Sequence, residues 1–169
     1  MVQQTIRIGI VATARRPANR WAVRGFAPSA ALDAAPEVAP GAALAETADA
    51  TTVYAGPAEI TLHSGETGHY RDNLSGRPSV WVALKPGGAA PQIVAATVNP
   101  HEGEALAGDD GLLVEAVAMP PLLRQAVAAF FAAHHVEVAF EKRKRRRADP
   151  EALARRGPQD RDRDGEGRR

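Results

Sequence analysis

Five histidines, His63, His69, His101, His134 and His135, are the side chains of this sequence best suited to chemistry. Together with Glu66 and Glu102 they offer the nitrogen and oxygen donors from which zinc and other borderline divalent ions take their ligands. Their spacing restricts them. His134 and His135 are adjacent, so on a helix their side chains point roughly 100° apart and cannot both face one ion without distortion. Near a helix C-terminus the protonated form of one of them is favoured by the macrodipole, which supplies a structural use for it. A small His/Glu metal-binding enzyme built on His63, Glu66 and one of the paired histidines is therefore an alternative reading, not the leading one.

Other catalytic machinery is missing. The chain has no G-x-S-x-G turn, no H-E-x-x-H pair and no cysteine, so the familiar nucleophile and zinc-hydrolase signatures are absent. Gly87-Gly88 and the segment 108–111 match neither dinucleotide nor P-loop patterns and read as turns. Without cysteine there is no disulfide, thiolate zinc site, cysteine-ligated iron–sulfur cluster or persulfide carrier in this sequence. Catalytic residues, metal ligands and cofactors are thus all expected to be none.

The formal charge of +1 conceals an asymmetry. Residues 1–140 hold 9 Lys/Arg against 13 Asp/Glu, whereas residues 141–169 hold 12 against 7. Six consecutive cations, Lys142, Arg143, Lys144, Arg145, Arg146 and Arg147, open that basic segment. Such a run would neutralise phosphates in a salt-dependent, sequence-blind way. It has no interleaved aromatics for base stacking and no accompanying groove-reading helix, so docking on an acidic protein surface explains it equally well. Residues 1–140 are expected to form a single domain and residues 141–169 a disordered basic tail.

The elements that must position these residues follow from periodicity. Ile6, Ile8 and Ile10 alternate within residues 4–13 (QTIRIGIVAT), the pattern of a half-buried strand. Residues 21–26 (WAVRGF) suggest a second strand that ends before Pro28. Residues 29–51, rich in alanine and proline, read as a long loop with at most a helical turn. Strand pattern returns at 51–54 and 58–63. Residues 64–76 are a short helix or an irregular turn, with Tyr70 and Leu74 on one face and Gly65 and Gly68 weakening it. Residues 78–85 and 92–98 read as a hairpin of two central strands, facing the core through either Val80, Val82 and Leu84 or the alternate Trp81 and Ala83.

Helix signals are clearer further on. Asn99 occupies an N-cap position, Pro100 the first helical position and Glu102 the third, able to reach back to a free backbone N–H; Gly108 should end that helix. Residues 112–117 form a last strand. After Met119-Pro120-Pro121, a helix over 122–135 carries Leu123, Val127, Phe130, Phe131 and His134 at three- and four-residue steps, a stripe expected to lie on a sheet. The fold class is accordingly α+β: an antiparallel β-sheet of about five to seven strands against a C-terminal helix, plus one short helix. No stretch approaches the roughly 20 apolar residues of a membrane span and the N-terminal apolar run is wrongly flanked for a signal peptide, so a soluble cytoplasmic protein is expected.

The set His63, Glu66, Thr67, Tyr70, Asn73, Leu74, then Pro78-Ser79-Val80-Trp81-Val82 with Leu84, Pro100, Glu102, Met119, Pro120, Phe130, His134-His135-Val136, Phe140 and Lys142-Arg143-Lys144-Arg145 resembles a proteobacterial family of unknown function. Its genes typically lie beside those for molybdenum-dependent formate dehydrogenase. The resemblance implies a neighbourhood and no mechanism. It suggests a non-catalytic accessory or assembly protein that binds a formate dehydrogenase subunit or maturation factor. A nucleic-acid-associated regulator binding through the basic tail is the alternative from another class. The candidate binding residues are His63, Glu66, Tyr70, Asn73, His134 and His135; otherwise Tyr70 and Asn73 fix a turn and the histidines close the last helix.

Overall fold

Alternating isoleucines form the core-facing side of strand β1, Gln3–Arg15, in the computed structural model, which describes residues 1–15 and 25–137. Ile8 and Ile10 are fully buried. The opposite side of β1 is covered as well at Gly9 and Val11. A Cβ at Gly9 would lie 2.9 Å from the Ala34 carbonyl oxygen and 3.2 Å from the Tyr54 ring, so only glycine lets these groups approach.

Strand β1 is flanked by β2, Phe26–Leu32, and β4, Ala50–His63, and β3, Ala43–Glu46, extends the sheet in the order β2-β1-β4-β3, all antiparallel. The two strand patterns at 51–54 and 58–63 are one strand. Ile10 pairs with Gly56 and Val11 with Tyr54, which leaves Ala55 as the extra residue of a bulge. Gly56 takes φ 134° there, a conformation that L side chains rarely adopt.

Two expectations for the N-terminal third need correction. The segment 29–51 is not one loop, because it holds most of β2 and all of β3. Its composition hid them: β2 is an edge strand, where a proline is tolerated, and Pro28 pairs with Ala12 at the point where β1 shifts register. The strand expected to end before Pro28 instead runs through it. Of that expected strand, residues 21–24 lie outside the described residues, as does the expectation for residues 141–169.

A second antiparallel sheet holds β5, Ser79–Lys85, between β6, Gln92–Thr97, and β7, Leu113–Ala118. Among the described residues the seven strands therefore divide four and three rather than forming one sheet. Alternation reports which face of a strand is buried and nothing about which strands share hydrogen bonds. Strand β6 is also an edge, so only β5 of the expected central hairpin is central. The sheets share one core, in which Ile8, Ile10, Ile60 and Leu62 of the first meet Val80, Val82 and Leu84 of the second. Strand β2 runs close to β7, and β4 close to β6.

The link between the sheets is a 3-10 turn, Ser64–Glu66, leading into helix α1, Thr67–Ser75, so the ambiguous segment is helical despite Gly68. Helix α2 spans Pro100–Ala107 and α3 spans Pro121–His134. Leu123, Val127 and Phe130 of α3 enter the core, while the elements that α3 packs on most closely are α1 and the 3-10 turn. Residues Met1–Val136 form one unit. Among the described residues no helix is long and apolar enough to cross a membrane.

Candidate functional site

Tyr70 and Asn73 are three apart on α1, hence on one face of the helix, and both are buried, at 1% and 5% exposure. The Tyr70 hydroxyl accepts a hydrogen bond from the His63 backbone N–H at 2.9 Å and donates to Glu66 Oε2 at 2.9 Å. It thereby fastens the end of β4 to the first turn of helix that follows. The His63 ring is engaged elsewhere, with Nδ1 3.0 Å from Gln3 Nε2. Burial pushes the Tyr70 phenol above its ordinary value; the His63 N–H opposes the shift, and the Glu66 and Glu102 carboxylates add to it. Tyr70 is a neutral donor near pH 7 and is not a tyrosinate base or nucleophile.

Asn73 works in a similar way across a greater distance. Its Nδ2 donates to the carbonyls of Ser79 at 2.9 Å and Val98 at 2.8 Å, and its Oδ1 accepts from the Ser79 N–H at 2.9 Å. One side chain thus satisfies three buried backbone groups where β5 begins and β6 has just ended.

The paired histidines diverge as their adjacency requires. The His134 ring packs against Phe130 with centroids 4.6 Å apart, and the His135 ring stacks on Phe131 at 4.5 Å. His135 Nδ1 lies 3.0 Å from Thr67 Oγ1, which ties the end of α3 to the start of α1. Of the six candidates, then, Glu66 and Tyr70 meet directly, His63 joins them through its backbone N–H alone, Asn73 serves the strand ends, and His134 and His135 have separate partners. Among the described residues no three His, Asp or Glu side chains are grouped to hold a metal ion.

Three further features were missed from sequence. Asp33 Oδ1 accepts hydrogen bonds from the N–H groups of Leu122, at 2.8 Å, and Leu123, at 3.1 Å. Helix α3 has no side-chain cap of its own at Pro120, so a residue almost ninety positions away supplies one. The Pro120-Pro121 start does betray the need for an external acceptor, although not its identity. Glu102 is the second. It does not reach the Asn99 N–H directly, because that group donates to Thr97 Oγ1 at 3.1 Å and Thr97 in turn donates to Glu102 Oε2. The third is the approach of His69 on α1 to His101 on α2, with ring centroids 4.3 Å apart. Asn99 itself caps α2 as its position predicts, accepting from the His101 N–H at 3.0 Å.

A family model described as a protein of unknown function, DUF3305, matches residues 7–146. The chain belongs to the DUF3305 family. No curated protein and no solved structure matches it. The DUF3305 match spans β1 to α3 and continues through Arg146, so it contains all six candidate binding residues and the basic run apart from Arg147. The motifs behind the sequence resemblance fall within the same DUF3305 span.

Proposed function

We propose that this protein is a non-catalytic accessory or assembly factor of formate dehydrogenase, acting in the bacterial cytoplasm by binding a dehydrogenase subunit or maturation factor. The observation that carries the reading is how the polar candidates are spent. Tyr70, Asn73 and His135 use their polar atoms to join segments of the fold. A binding role is left for the surface. Apolar residues are exposed along α3 and just past it: Leu122 is 62% exposed beside exposed Arg124 and Gln125, Ala128, Ala129, Ala132 and Ala133 are exposed further along the helix, and Val136 beyond its end is 75% exposed.

In sequence that helix is followed by the cations Lys142 to Arg147. Exposed apolar side chains suit a partner that presents an apolar patch, and the cationic run, taken by itself, suits acidic groups on a partner. Formate dehydrogenase as the system rests on the sequence resemblance. Affinity purification of the tagged full chain from formate-grown cells tests the reading. Enrichment of a dehydrogenase subunit or maturation factor, reduced by Leu122→Asp or by charge reversal within residues 142–147, is the expected result. Failure to enrich either kind of protein sinks it. The six-cation run also favours a nucleic-acid-associated role as the second reading; equal affinity for duplex and single strands after truncation at Glu141 would remove that case.

A further inference from the structure

We propose that His69 and His101 together bind a late first-row divalent transition ion, of the class of Cu(II), Ni(II) and Zn(II), through their two imidazoles with water completing the coordination. The two side chains come from different helices, α1 and α2, which the fold brings side by side. Their ring centroids are 4.3 Å apart with the planes tilted by 55°. With metal–nitrogen bonds of about 2.0–2.1 Å, each centroid lies about 3.2 Å from the ion, so two cis imidazoles have centroids about 4.5–5.2 Å apart. The pair stands within about an ångström of that spacing.

Two observations fit a ligand better than a structural contact. Among the described residues neither ring has a hydrogen-bond or ion-pair partner, unlike His63 and His135. His69 is half-buried and His101 exposed, so an ion has access. No third His, Asp or Glu joins the pair among the described residues, which makes this an open, exchangeable site rather than a closed structural one. Imidazole donors and the Irving–Williams order place Cu(II) first in affinity.

Calorimetric titration of the full chain, freed of any polyhistidine tag, with copper, nickel and zinc salts reads the affinity. One ion per chain is expected. His69→Ala and His101→Ala should each weaken it at least about tenfold, the double variant should lose it, and a His134→Ala/His135→Ala control should keep it. Circular dichroism checks each fold, with His69→Asn replacing His69→Ala if the latter unfolds. As a second readout, substoichiometric Cu(II) should broaden the ring resonances of His69 and His101 before those of the other histidines. Binding that is unchanged in the double variant, binding that follows His134 and His135, or no uptake by the wild-type chain overturns the proposal.

Discussion

Replacing Asp33 by alanine removes the acceptor for two N–H groups at the start of α3. Pro120 offers no side-chain cap, and Pro121 has no N–H, so Leu122 and Leu123 are the groups left exposed by the change. Loss of an N-cap costs about 1–2 kcal/mol, and loss of a negative charge at a helix N-terminus adds about 0.3–1 kcal/mol. A destabilisation of about 2 kcal/mol is expected, read as a lower urea midpoint at constant m-value. Asp33→Asn keeps an acceptor oxygen without the charge and should recover more than half of the loss. The remaining gap between the wild type and the Asp33→Asn variant should shrink in high salt, as a screened interaction does. If Asp33→Ala unfolds within about 0.3 kcal/mol of the wild type, the long-range cap contributes nothing and the reasoning fails.

Other consequences are equally measurable. Gly103 lies against Trp81, and a Cβ there would enter the indole ring, so Gly103→Ala should cost about 1–3 kcal/mol in denaturation and shift the tryptophan fluorescence. Asn73→Ala strands three buried backbone groups and should cost about 2–4 kcal/mol, with faster hydrogen exchange at the Ser79 amide. Tyr70→Phe keeps the ring but leaves Glu66 and the His63 N–H unpartnered, at about 1–2 kcal/mol near pH 7. The Tyr70 phenol is raised in the folded chain, so the native state holds its proton after the unfolded chain has released it. Its contribution is whole below the ordinary tyrosine value of 10.0 and is lost as pH rises above it, by up to about 1.4 kcal/mol per pH unit. Stability profiles of wild type and Tyr70→Phe should therefore converge with rising pH from about 10; parallel profiles would contradict the assigned shift.

Elements with strong local patterns were legible in the sequence, and their assembly was not. The isoleucine alternation located β1, the Asn99-Pro100 pair located the start of α2, and the Leu123, Val127 and Phe130 steps located α3, each because local backbone geometry sets the period. Strand β3 escaped because its four residues are all exposed and carry no alternation. Division into two sheets escaped because pairing partners are chosen by tertiary packing. The candidate site shows the same boundary. Tyr70 and Asn73 stood out through the family resemblance, but the Asn73 partners at Ser79 and Val98 are fixed only by how β5 and β6 are laid down. Asp33 and the His69–His101 contact involve residues distant in sequence, for which no local period exists.

The pairing of β1 with β4 has a consequence for how the chain is made. Gln3 lies opposite His63, so the outermost rungs of this ladder join residues sixty positions apart. At roughly 5–20 residues per second, a ribosome needs several seconds to supply the partner strand after β1 has been made. Strand β2 can pair with β1 sooner, but it covers only Gly9 to Ala14. During that interval Ile6 and Ile8 have no ladder to join. This apolar stretch is a natural foothold for a chaperone on the nascent chain, and a slowed supply of residues 50–63 would lengthen the exposure.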